Sequence, residues 1–230
     1  MQNPKEWNYA SERVEPEKPF DIQALTADYV RLEVHPADEK NKKILLENQY
    51  IWADRTIKAS IDLQCIENNF ARLIRMDIRE IDRITDEVYE IAENAFRRDR
   101  RFFISVNYER EIGRRVLKDY IIRQTEKNCI IFGCFYEEKL IGILITTELD
   151  SHTYETVLGA ILPEWHAKGA GISLYAFEFY TLKKRGVQTL YSRISTDNIA
   201  SLNLHLLLSK GNIRFMEPFD IYLKNKGENQ

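Results

Sequence analysis

Three extended apolar stretches, residues 129–136, 140–148 and 153–162, follow one another with only short polar turns between them. The first two are joined by Glu137-Glu138-Lys139, short enough for a hairpin, and the third continues an antiparallel meander. After Pro163 the rhythm changes. A helix is expected to open within Gly169-Ala170-Gly171 and run to about residue 184, burying Leu174, Phe177, and Tyr180 or Thr181. Gly186 is placed to end it. Residues 187–195 then read as a strand, 199 to about 209 as a helix, and 213–223 as an extended pair bent at Pro218. A meander followed by strand, helix, strand and helix implies an α/β fold with a mixed sheet.

The N-terminal part reads as smaller pieces. Residues 1–20 are polar, carry Pro4, Pro16 and Pro19, and are expected to form an arm. Residues 21–68 form a small α/β module. Its strand at 29–34 is stopped by His35-Pro36-Ala37-Asp38, Asp38 caps a helix to about residue 48, and a strand returns at 56–63. The main domain, 69–230, is expected to open with an alternating strand at 71–76. A helix over 77–95 follows, with Ile81, Ile84, Val88, Ile91 and Ala95 at three- and four-residue spacing, and a second helix over 108–125.

Composition narrows the function classes. Hydrophobic residues make up 44% and charged residues 30% of 230, the balance of a soluble globular protein. A net charge of -3 argues against nucleic-acid binding through bulk positive charge. No apolar run approaches the roughly 20 residues of a membrane span. The polar start Met1-Gln2-Asn3-Pro4-Lys5 lacks a signal-peptide apolar stretch, so a cytoplasmic protein is expected. Cys65, Cys129 and Cys134 show no metal-type spacing and read as reduced core thiols, so no metal is expected.

The segment from Gly159 to Ile172 carries the chemistry. An apolar strand ends at Pro163, the chain turns through Glu164-Trp165-His166-Ala167-Lys168, and a helix begins among small residues. Backbone N–H groups at such a helix start suit phosphate oxygens. Gly169 and Gly171, with Ala167 before them and Ala170 between, let a pyrophosphate approach the main chain, while Lys168 and His166 add positive character. The pattern is not the GxGxxG of a dinucleotide fold, and no Walker lysine and hydroxyl pair follows it.

On these residues the segment resembles the acyl-CoA signature of the GNAT family of N-acetyltransferases, an apolar strand, a proline, then Gln/Arg-x-x-Gly-x-Gly/Ala. Ile161, Pro163, Gly169 and Gly171 match at that spacing, and His166 stands where glutamine or arginine is usual. The order of elements from Leu73 to Leu223 is also similar to this family. A second family element carries Asn, a small residue three later, and Leu-Tyr at six and seven; here these are Asn198, Ser201, Leu204 and His205.

The resemblance implies a GNAT-like, largely antiparallel sheet flanked by helices, acetyl-CoA as acyl donor, and direct transfer to an amine. It places His205 where the family carries a tyrosine that protonates the CoA thiolate. Glu155 stands as a base acting through water, or as an ordinary strand residue. Arg97, Arg98, Arg100 and Arg101, among aromatics in the loop that borders the family's acceptor site, suit a diphosphate or are solvated. The small N-terminal module resembles the dTDP-fucosamine acetyltransferase type, which implies a nucleotide-linked amino sugar as the small-molecule acceptor. A peptide or protein amine is the runner-up, and a non-catalytic acyl-CoA-binding module the competing class. No nucleic-acid or membrane partner is expected, and a homodimer is the assembly anticipated if one forms.

Overall fold

A computed structural model describes residues 9–14, 20–22, 25–66, 70–102 and 110–225. In chain order they form β1 (Tyr9–Arg13), β2 (Tyr29–Val34), α1 (Glu39–Glu47), β3 (Ile51–Asp62), a 3-10 turn (Phe70–Arg72), β4 (Asp77–Glu80) and α2 (Asp86–Phe96). Then follow α3 (Arg110–Thr125), β5 (Cys129–Tyr136), β6 (Lys139–Asp150), β7 (Thr153–Ile161), a 3-10 segment (Pro163–Lys168), α4 (Ala170–Lys184), β8 (Thr189–Ser195), α5 (Ile199–Ser209) and β9 (Ile213–Asn225). This is the expected α/β class, with a mostly antiparallel sheet and flanking helices. Among the described residues no helix is long and apolar enough to cross a membrane.

Contacts divide the chain into two units, Met1–Ile57 with Ser195–Asp197 and Glu217–Gln230, and Lys58–Ile194 with Asn198–Met216. The division thus falls within β3 and β9 and differs from the chain-order partition at residues 20 and 68. In the first unit β2 pairs in parallel with β1 and antiparallel with β9. Tyr9–Arg13, inside the stretch read as an arm, is therefore a strand; residues 1–8 and 15–19 of that stretch lie outside the described residues. Asp38 caps α1 by accepting from the Asn41 N–H at 3.1 Å, as its side chain suits it to do. Val30, Leu32, Val34, Leu45, Tyr50 and Tyr222 fill this unit's core.

The second unit orders its strands β3-β8-β7-β6-β5-β4. Two expectations fail here. Residues 71–76 do not form a strand, because Phe70 buries itself and Leu73 N–H closes a turn onto the Phe70 carbonyl at 2.8 Å. The helix expected from residue 77 starts only at Asp86. Asp77–Glu80 instead pair with β5, Ile78 opposite Cys134, and Ile81 N–H reaches the Ile131 carbonyl at 2.9 Å. Ladder bonds to β5 override the helical spacing of Ile81 and Ile84. β9 likewise is one strand through Pro218, where an extended pair bent at that proline was expected.

The first unit holds a testable ion pair. Asp220, 1% exposed, accepts from Arg55 Nε and Nη2 at 2.7 and 3.0 Å and from Trp52 Nε1 at 3.3 Å. Asp220→Asn leaves the guanidinium without its counter-charge and is expected to cost about 2 kcal/mol, allowing for the half-exposed arginine. Urea unfolding measures this; a cost under about 0.5 kcal/mol contradicts a structural role for the pair.

Candidate functional site

The pairing of β7 with β6 shifts register twice, once near its start where Leu149 of β6 is skipped and once within β7 itself. Against β6 the register runs Leu144↔Gly159 and Ile145↔Leu158, then slips to Thr146↔Thr156, so Val157 is an inserted residue with no partner opposite. Alternation along a regular strand would put Thr156 and Gly159 on opposite faces. The inserted residue puts them on one face, with Ile161, and that face receives α4.

Against β8 the same strand pairs in parallel only from Thr153↔Thr189 to Thr156↔Ser192. Beyond that point β7 runs on to Ile161 and β8 through Arg193 and Ile194 without a ladder between them, leaving a gap that starts at the bulge. The Val157 carbonyl accepts from Tyr120 Oη of α3 at 2.9 Å.

The cofactor turn stands at the open end of β7. The turn after the strand is a 3-10 segment, Pro163–Lys168, and α4 opens at Ala170, within the Gly169–Gly171 stretch where the helix was expected. Gly169 then takes φ +83°, a left-handed conformation that favours glycine, and no side chain caps α4. The first helical bond runs from Ser173 N–H to the Gly169 carbonyl at 3.0 Å, so the N–H groups of Ala170, Gly171 and Ile172 have no partner within the helix. Ala167 and Lys168 are exposed, and Lys168 Nζ lies 4.2 Å from the Trp165 ring centroid. His166 is also exposed but turns inward: its Nε2–H donates to the Ile161 carbonyl at 2.9 Å, bracing the turn.

Gly171 has a packing role that the sequence reading assigned to phosphate approach. A β-carbon there would sit 3.2 Å from Ile161 Cδ1 and 3.7 Å from Leu204 Cδ1, so the glycine brings α4 close to β7 and α5. The same helix face continues with Tyr175 and Glu178, four and seven residues later. A β-carbon at Gly159 would overlap the Tyr175 hydroxyl, so this phenol rests on the β7 backbone just past the bulge. Glu178 is 0% exposed, and its Oε1 accepts from Thr146 Oγ1 at 2.5 Å and Thr156 Oγ1 at 2.7 Å. No described residue bonds its Oε2. Burial pushes this carboxyl up to about 7, against the opposing pull of the two threonine bonds.

His205 of α5 is 1% exposed and packs edge-on against Tyr175, ring centroids 5.1 Å apart. Its Nδ1–H donates to the Ser201 carbonyl at 2.7 Å, and Nε2 has no partner among the described residues. A carbonyl can only accept, so in the neutral ring Nε2 carries the lone pair. Burial lowers its pKa, only partly offset by the Ser201 bond, so the buried ring suits accepting a proton better than storing one.

Other expected residues lie apart from this face. Asn198 caps α5, its Oδ1 accepting from Ser201 N–H at 3.0 Å. Glu155 stands next to Thr156 on β7, opposite Thr147 of β6 and Tyr191 of β8. Arg101 is engaged by Asp99 through Nε and Nη2 at 2.9 and 2.6 Å. Arg98 and Arg100 are exposed, and Arg97 lines a cleft of about 390 Å³ with Glu87, Glu90, Lys139, Pro163 and Glu164. Among the described residues no group of side chains could hold a metal.

Sequence reasoning missed Tyr175 and Glu178. It assigned the buried stripe to Leu174, Phe177, and Tyr180 or Thr181, of which only Leu174 is fully buried; Ala176, Phe179 and Leu182 are buried as well. Glu178, seven residues from Gly171 and the one charge in α4 before its terminal Lys183 and Lys184, was the available signal.

The titration of Glu178 gives a stability prediction. Its folded-state value, about 7, lies above its ordinary 4.5, so the native state holds the proton across that window. Stability from this group is full below the lower value and is lost as pH rises through the higher one. Glu178→Gln keeps the shape without titrating. The stability of the wild type relative to this variant should fall by on the order of 3 kcal/mol between roughly pH 4 and pH 8 in denaturant unfolding. A pH-independent difference contradicts the assignment.

No protein-family model matches the sequence, and no curated protein does. Solved structures do. A conserved protein of unknown function from Staphylococcus epidermidis ATCC 12228 aligns at TM-score 0.61 and 12% identity, over 86% of this chain and 73% of that one. A GCN5-related N-acetyltransferase from Sphaerobacter thermophilus aligns at 0.53 and 13%, over 86% and 60%. A tandem GNAT protein from the clavulanic acid biosynthesis pathway aligns at 0.53 and 11%, over 88% and 65%. The chain therefore spans less than two thirds of the length of the latter two. At these identities the likeness is one of architecture, and the fold of this chain is that of the GCN5-related N-acetyltransferases.

Proposed function

We propose that the chain is an acyl-CoA-dependent N-acetyltransferase, with the CoA pyrophosphate at the start of α4 and the thioester arm in the gap between β7 and β8. One observation carries the reading: an uncapped helix start follows, after a single 3-10 segment, on a strand that has parted from its neighbour. N–H groups of Ala170, Gly171 and Ile172 suit phosphate oxygens, and the exposed Lys168 and Ala167 border them. Ile161 would flank the cofactor from the end of β7. Asn198 and His166 are given over to a helix cap and a turn brace, so their contribution is to hold the frame.

The chemistry divides among few groups. The acceptor ammonium loses a proton, with Glu155 acting through water, and the free amine attacks the thioester carbonyl. Backbone N–H groups from Val157 onward would receive the developing oxyanion. The C–S bond then breaks and the thiolate takes a proton. That proton comes back through the water that relayed it from the ammonium, while His205, its neutral ring edge-on against Tyr175, packs behind the transfer site.

For the acceptor we propose a nucleotide-linked amino sugar of the dTDP-fucosamine kind, its diphosphate met from the arginine group Arg97, Arg98, Arg100 and Arg101, in which Asp99 orients Arg101. The carboxylates of Glu87, Glu90 and Glu164 in the Arg97 cleft favour a second reading, a cationic peptide or protein amine.

Thiol release from acetyl-CoA should depend on an added amine, and Lys168→Glu should weaken CoA binding about tenfold at low salt, less at high salt. Calorimetry and a thiol assay read both. CoA binding without amine-dependent release identifies a binding module; no CoA binding at all overturns the reading.

A further inference from the structure

Glu178 is a buried carboxyl that the transfer scheme above does not employ. Burying it costs stability, all the more because Oε2 finds no partner among the described residues; an apolar side chain of its size would be cheaper there. What the carboxyl supplies is two directional bonds on one oxygen, from Thr146 Oγ1 and Thr156 Oγ1.

Those two threonines occupy a particular place. They face each other across β6 and β7 at the step where the register slips. Thr156 is also half of the last pair between β7 and β8. A single oxygen of α4 therefore holds β7 at the residue where its ladder is interrupted on one side and ends on the other. Both hydroxyls donate to Oε1, which can accept in the acid as well as in the carboxylate, though more strongly in the carboxylate, so the tie is present on either side of a titration near pH 7.

We infer that Glu178 is a positioning residue for acyl transfer: by gathering Thr146 and Thr156 onto one oxygen it fixes where β7 leaves β8. That fixes where the backbone from Val157 onward meets the thioester carbonyl. The inference rests on the acyltransferase reading and extends it to a residue that touches neither substrate. Tyr175, one helical turn earlier, depends on the same anchorage, because its hydroxyl rests on Gly159 just past the bulge.

The test measures amine-dependent thiol release, CoA affinity and unfolding midpoint on the full chain. Thr146→Val and Thr156→Val each delete one hydroxyl at nearly constant volume, Glu178→Ala deletes the anchor, and Glu178→Gln keeps the accepting oxygen. A misplacement of about 1 Å costs on the order of 100-fold. Each valine variant should therefore lower kcat roughly tenfold and Glu178→Ala up to about 100-fold, with CoA affinity held within about threefold. Glu178→Gln should recover most of kcat. If Glu178→Ala does not fold, the two valine variants carry the test. Folded variants with wild-type kcat, or a glutamine variant as impaired as the alanine one, overturn the positioning role alone. A wild-type protein that releases no thiol with any amine overturns it together with the acyltransferase reading.

Discussion

The arrangement of the second unit turns on one inserted residue. Val157 takes β7 out of step with β6, and this brings Thr156, Gly159 and Ile161 to the same side of the strand. Each meets a side chain or a bare backbone position of α4: Glu178 at Thr156, Tyr175 at Gly159, Gly171 at Ile161. With regular alternation Gly159 would face away, the phenol would have no surface to rest on, and the helix could not approach as closely. A bulge also bends and twists its strand, which accounts for the parting of β7 from β8 immediately afterwards.

The consequence is a polar line inside an apolar interface. Around it lie Leu144, Leu174 and Phe132, all fully buried, and the edge contact of Phe132 with Phe177. Within it a carboxyl, a phenol and an imidazole follow one another along α4 and onto α5, two of them with an atom that finds no partner among the described residues. Such groups are costly where they are not satisfied. Their concentration beside a strand gap and an open helix start is what distinguishes this part of the fold from a packing surface.

How far the sequence revealed this depends on which signal each residue sends. The hairpin of β5 and β6 and the start of α4 were legible because turn residues and glycines act locally. The edge strand Asp77–Glu80 was not, because its backbone bonds come from β5, more than fifty residues away, while its own spacing is helical. Tyr175 and Glu178 escaped for a different reason: α4 is apolar nearly all round, so periodicity alone could not select the buried side. The bulge left no mark in composition. Gly171 was rightly picked out as special, but the atoms that require it to be glycine, Ile161 Cδ1 and Leu204 Cδ1, belong to other elements. His205 was singled out through resemblance, and only its surroundings reveal that its N–H is committed to Ser201.

An acyl-CoA that binds as proposed seats its pyrophosphate on the first turn of α4 and its arm in the gap past Val157. A titration of CoA into the isotope-labelled protein, followed by backbone amide chemical shifts, tests this placement directly. The largest shifts should fall on Gly169, Ala170, Gly171 and Ile172, with a second group at Val157, Leu158 and Arg193 flanking the gap. Shifts centred instead on the cleft of about 700 Å³ lined by Arg83, Lys127 and Arg185, near the opposite end of β7, would contradict it.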